Sequence, residues 1–171
     1  MDVFPELYSQ RLKLRKLEVE DIPALVKYAN NKKISDQIIN IPFPYQEVDA
    51  IMRLSYVVQG FKNKTRFVFA ITLRETEEVI GETSLHLEND RSVSQLGYWV
   101  GEPFWNRGIG SEAVGAIVQF GFEKLGLRLI YATCHAANTA SVKVLLKNGM
   151  AQHSVDGNVI QYRLTREAFG K

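Results

Sequence analysis

The chain has 171 residues, near the usual size of one domain, and its 46% apolar and 23% charged residues are ordinary for a soluble globular protein. That composition excludes disorder, collagen and coiled coil as descriptions of the whole, and a chain of this length buries enough surface to fold without staples. The 21 basic and 19 acidic residues leave +2, too little to argue for nucleic acid, although phosphate could bind at a local site.

Met1 to Gln10 lacks a basic start followed by an apolar run, so no secretory peptide is expected. Arg11 to Leu17 alternates, with Leu12 and Leu14 facing one way, and predicts a half-buried strand. Glu18 to Asn31 carries Ile22, Leu25, Val26 and Ala29 at helical spacing, with Pro23 tolerable in the first turn. Pro42 and Pro44 make Ile41 to Tyr45 a connector, and Gln46 to Phe61 predicts a second amphipathic helix. Arg66 to Leu73 and Val79 to Leu87 alternate around a charged turn, and Val93 to Val100 completes an antiparallel meander. Gly101 to Gly110 reads as a loop, followed by a helix over Ser111 to Leu125 that stops at Gly126. Arg128 to Cys134 predicts a buried strand, Thr139 to Lys147 a helix, and Val159 to Leu164 a last strand.

A strand, a crossover helix and another strand in the second half imply one parallel pairing in the sheet. The expected fold is α/β, one domain over residues 1–171, with a mixed, mostly antiparallel sheet and helices on both faces. No apolar run approaches the ~20 residues that cross a bilayer, so no membrane is expected. The single cysteine, Cys134, excludes a disulfide framework and, with the absent leader, points to the cytoplasm. His86, His135 and His153 lack ligand spacing, so no metal is expected.

The most informative stretch runs from Gly97 to Ala113: a strand enters a loop carrying Gly108 and Gly110, which opens into a helix. The first N–H groups of a helix have no internal partner and carry the positive end of its dipole. Glycine lets a phosphate approach that backbone, and Arg107 could add charge. A P-loop is excluded, since no Gly-Lys-Ser/Thr opens the helix. Gly108-Ile109-Gly110-Ser111-Glu112-Ala113 formally matches a dinucleotide fingerprint, but the loop is long and the acid expected ~20 positions on is missing. A pyrophosphate cradle for coenzyme A and a glycine-rich helix start with no ligand remain.

Gly97-Tyr98-Trp99-Val100 followed by Trp105-Asn106-Arg107-Gly108-Ile109-Gly110-Ser111-Glu112-Ala113 resembles the acetyl-CoA signature of the GNAT superfamily of N-acetyltransferases. The branch it resembles most is the RimJ/RimL-like one, which acetylates ribosomal-protein N-termini. Arg11 to Arg15 resembles that branch's opening strand, and Asn138 to Ser141 with Leu145 to Met150 its second cofactor motif. The sequence departs from the pattern at Asn106, where a glycine is usual. Leu145 stands where many relatives carry a tyrosine that serves as general acid, and Gln95 where a carboxylate is common.

The resemblance implies acetyl-CoA as co-substrate, bound by Tyr98, Trp99, Val100, Arg107, Gly108, Ile109, Gly110, Ser111, Asn138 and Ser141. It further implies a bulged strand Leu96 to Val100, splayed from the strand ending at Cys134, with the thioester between them. The N–H of Val100 is the candidate to hold the acetyl carbonyl, a role worth about 3–4 kcal/mol. Ser141 is the candidate to protonate the leaving thiolate, or else back-bonds within its helix; Asn138 contacts the pantetheine arm, caps the helix, or both.

Glu82, Ser84 and His86 share one face of a central strand, so Glu82 or His86 could act as base through water. A solvated sheet face is the alternative. Cys134, in an apolar run, reads as a buried, inert thiol, and Lys143 and Lys147, one helical turn apart, as a solvated face or a 3′-phosphate contact. The function expected is direct acetyl transfer to a primary amine, a protein N-terminus or a small molecule. The runner-up is an inactive acyl-CoA-binding regulatory module. The acceptor amine and the oligomeric state, a homodimer included, are open.

Overall fold

In the computed structural model, which describes residues 1–171, the alternating segments become one eight-stranded sheet. In chain order the strands are β1 (Leu7–Tyr8), β2 (Leu12–Arg15), β3 (Arg66–Leu73), β4 (Val79–Leu87), β5 (Val93–Val100), β6 (Leu129–His135), β7 (Ala151–Asp156) and β8 (Val159–Thr165). The helices are α1 (Ile22–Ala29), α2 (Lys32–Ser35), α3 (Glu47–Lys62), α4 (Ile109–Glu123), α5 (Thr139–Lys147) and α6 (Arg166–Phe169). Strand order is β1-β2-β3-β4-β5-β6-β8-β7, and only β5 and β6 run parallel, joined through α4. The α/β fold expected from the sequence, a mixed, mostly antiparallel sheet with helices on both faces, is the fold observed.

Both faces of the sheet centre are covered. Phe67 and Phe69 meet Phe120 of α4 in edge-to-face contacts, and α1 and α3 pack over the opposite face, against β4 and β3. Hence Val68, Ala70 and Thr72, on the other side of β3 from the phenylalanines, are as buried as they are. The solvated face considered for Glu82, Ser84 and His86 is therefore corrected: Glu82 and Ser84 are buried beneath the α1/α3 layer.

Four elements escape the sequence patterns. β1 has two residues and α2 and α6 four each, too short for a period to register. β7 is exposed along its whole length, so its sequence carries no apolar alternation. Three boundaries also shift. The first strand narrows to Leu12–Arg15, the first helix begins as a 3-10 turn over Val19–Asp21, and α4 starts at Ile109, because Gly108 rather than Gly110 caps it. No helix is long and apolar enough to cross a membrane.

Candidate active site

β5 and β6 pair only over Val93↔Leu129, Ser94↔Ile130 and Gln95↔Tyr131. Beyond Gln95 they part, and a cavity of about 640 Å³ opens between them, floored by β5 and β6 and walled by α2, the Phe104–Ser111 segment and α5. The splay implied by the resemblance is present. The implied bulge is not: β4 and β5 hold unbroken register from Leu87↔Ser94 to Gly81↔Val100. No bulge is needed to free donors. Glu88 N–H donates to Val93 O and Gly101 N–H to Ile80 O, so hydrogen-bonded pairs fall on odd positions of β5. The N–H groups of Leu96, Tyr98 and Val100 therefore point away from β4, towards the gap.

One end of the cavity is the start of α4. Gly108 sits at φ 75°, a conformation that costs an L side chain about 1–2 kcal/mol, and turns the chain into the helix. No side chain caps that first turn, and the first intrahelical bond is Glu112 N–H to Gly108 O. The amides of Ile109, Gly110 and Ser111 are thus left for a ligand. Gly108, Ile109, Gly110 and Ser111 all line the cavity; Arg107 does not. Its guanidinium lies 5.8 Å from the Phe104 ring centroid, and its carbonyl accepts from Arg11. Gly110 faces the Tyr98 ring so closely that a Cβ there would come within 3.2 Å of it. Trp105 Nε1 donates to Val100 O at 2.6 Å, tying the loop to the end of β5.

The other end is built by β6 and α5. Asn138 accepts from Ser141 N–H through Oδ1 at 3.2 Å, capping α5, and its amide reaches Gln37 at 3.3 Å. The Tyr98 phenol donates to Ser141 Oγ at 3.3 Å. Cys134 is not the buried residue expected. It is half-buried, lines the cavity and neighbours Ser141; burial pushes its thiol up, partly offset by the Ser141 hydroxyl, so it is a thiol rather than a thiolate at neutral pH. Leu145 is 1% exposed, a core residue with no proton to give. Lys143 and Lys147 line the cavity with exposed side chains.

Glu82 and His86 lie across the sheet from Tyr98 and Ser141, and neither lines this cavity. Glu82, 3% exposed, accepts from Arg53 Nη2 at 2.8 Å and Nε at 3.1 Å through a single oxygen, Oε2. The Arg53 guanidinium also helps floor a second cavity of about 330 Å³ beside Tyr45 and Tyr56. His86 contacts Ser84 Oγ at 3.1 Å, and burial, with the charges of Arg53 and Arg66, lowers its pKa to about 4. Arg53 has no signal in the sequence, being one of many cations on amphipathic helices. The α2 contribution to the large cavity, Ile34 among it, was hidden with the helix itself.

A mixed sheet whose single parallel pair splays into a cleft at a glycine-led helix start defines an acyltransferase-type architecture. Residues 11–151 match the family described as Acetyltransferase (GNAT) domain. The uncharacterized N-acetyltransferase p20 of Bacillus licheniformis is 33% identical over 143 residues, covering 81% of this chain and 78% of its own. An acetyltransferase of the GNAT family from Bacillus anthracis superposes with TM-score 0.79 at 25% identity, covering 95% and 99% of the two chains. RimJ from Mycobacterium smegmatis, in complex with CoA-disulfide, superposes with TM-score 0.87 at 18% identity, covering 98% and 90%. The chain belongs to the GNAT acetyltransferase family and is an N-acetyltransferase.

Proposed function

We propose that the chain moves the acetyl group of acetyl-CoA directly to a primary amine, within a ternary complex, and that it belongs to the RimJ/RimL-like branch. The observation that carries this is the cavity itself, which joins uncapped amides at Ile109 to Ser111 to the Val100 N–H and the Ser141 hydroxyl. The residues fit the cofactor: a diphosphate needs backbone donors at a helix start without a Cβ in the way, and the Gly108–Gly110 turn provides them.

Acetyl-CoA, when bound, supplies the activated acyl group and a thiolate leaving group. The amides of Ile109 to Ser111 hold the diphosphate, Asn138 contacts the pantetheine arm, and Tyr98 and Trp99 wall the channel. The Val100 N–H, free of β4, stabilises negative charge developing on the carbonyl oxygen. The Ser141 hydroxyl, which lines the same cavity, would supply the proton to the departing thiolate.

Proton removal from the amine falls to water. Glu82 is committed to Arg53, and His86, with its pKa lowered to about 4, is too weak a base for an ammonium. An α-amine titrates near ~7.7–8.0, against ~10.4 for lysine, and presents far more neutral amine unaided. That favours a peptide N-terminus or a small amine of similarly low basicity as acceptor. The test is calorimetry with acetyl-CoA beside a free-thiol assay over an amine panel. Thiol release that depends on the acceptor is the expected result, and acetyl-CoA binding without it would favour the regulatory module instead.

A further inference from the structure

Glu112 stands in the first turn of α4, where a carboxylate gains from the positive end of the helix. A diphosphate bound at the same amides would meet this negative charge. Two features of the N-terminal segment answer that conflict. Ser9 Oγ donates to Glu112 Oε1 at 2.7 Å, and Arg11 adds its own N–H to the same oxygen at 2.7 Å. Arg11 Nε donates to Oε2 at 2.8 Å, and Nη1 of the same guanidinium donates to the carbonyl of Arg107 at 2.8 Å. The guanidinium thus grips the carboxylate of the first helical turn and the last carbonyl before Gly108 at once. A Cβ added to Gly108 would come within 3.5 Å of Arg11 Nη2, so the side chain lies beside the turn.

We propose that Arg11 is a positioning residue of the cofactor site, clasping Glu112 and Arg107 so that the α4 amides stay open to a diphosphate. It acts in two ways. It cancels a carboxylate that would otherwise repel the incoming phosphates, and it draws the Arg107 carbonyl dipole away from them. Burial alone would raise the Glu112 carboxyl, but the bonds from Ser9 and Arg11 hold it below the usual carboxylate range, so it is charged at neutral pH. The pair joins residues 101 positions apart, and it brings an arginine at the start of the sheet to the first turn of α4. The proposal rests on the reading that the α4 amides bind the diphosphate.

The test titrates coenzyme A, and separately pantetheine, which lacks the diphosphate and nucleotide, into the full chain by calorimetry. Arg11→Ala is expected to weaken coenzyme A about tenfold, the upper scale of one uncompensated charge at a helix start, and pantetheine less than about twofold. The double variant Arg11→Ala/Glu112→Ala is expected to bind coenzyme A more tightly than Arg11→Ala alone, because the orphaned carboxylate is gone. Arg11→Gln, which keeps most of the packing, carries the same expectation if the alanine variant folds poorly by circular dichroism. Equal losses for both ligands would overturn the proposal, as would a double variant no tighter than Arg11→Ala. A wild-type preference for coenzyme A that survives both Arg11 variants would overturn the clasp alone. Wild-type protein that binds pantetheine as tightly as coenzyme A would bring down the phosphate-loop reading, and the clasp with it.

Discussion

The phenol of Tyr98, on β5, donates to Ser141 Oγ, on α5, at 3.3 Å, bridging the gap into which the two parallel strands open. This bond occupies a lone pair of Ser141 Oγ and leaves its proton free to be donated, and the neighbouring Cys134 thiol already feels that hydroxyl. In the proposed mechanism Ser141→Ala therefore lowers kcat by roughly 10²-fold, the lower end of general-acid contributions, with KM for acetyl-CoA changed little. The loss should shrink when the acetyl donor is a thioester with a more acidic thiol. An unchanged kcat removes Ser141 from the chemistry.

Gly108 is the second test. Its φ of 75° makes Gly108→Ala strained wherever its Cβ lands, and the variant should lose about 1 kcal/mol of stability by denaturant melting. The strained turn also displaces the Ile109 amide, so KM for acetyl-CoA rises while Gly126→Ala, a turn of similar φ outside the cavity, leaves KM alone.

Arg53 and Glu82 form a buried pair, with side chains 21% and 4% exposed. Arg53→Leu strands a carboxylate under α3, and a loss of about 3 kcal/mol is expected in chemical denaturation. Removing both charges in Arg53→Leu/Glu82→Leu should cost less than Arg53→Leu alone. A double variant less stable than that single one would mean that the Glu82 carboxylate carries no penalty when stranded without Arg53.

His86 sets a pH signature. Its folded pKa is lowered to about 4 from 6.5, so between those values the unfolded chain binds the proton that the folded chain refuses. Stability is then full above about pH 6.5 and falls as pH drops towards 4, by roughly 2–3 kcal/mol from this group. Melting curves of wild type and His86→Gln across pH 4 to 7 isolate the effect from the carboxylates. Parallel curves would mean that His86 is protonated without penalty in the fold.

Much of this was legible in the residues taken one segment at a time. The alternation of Phe67, Phe69, Ile71 and Leu73 specifies a strand, and the glycines at 108 and 110 specify a helix start open to an anion. The parallel pairing followed from strand, helix and strand in succession. Each of these rests on a local rule, a period of two or 3.6 residues or a backbone angle that only glycine adopts at ease.

Register and packing decided the rest. Whether Glu82 met water, substrate or a cation depended on α3 lying over β3 with Arg53 reaching across to β4, and no spacing along the chain encodes that contact. Cys134 reached the cavity rather than the core because β6 leaves β5 after Tyr131. Arg11 and Glu112, each unremarkable in its own segment, meet only when the sheet closes over α4. Composition and periodicity describe what a segment can do alone, whereas burial, charge pairing and the opening of a cleft are properties of segments brought together.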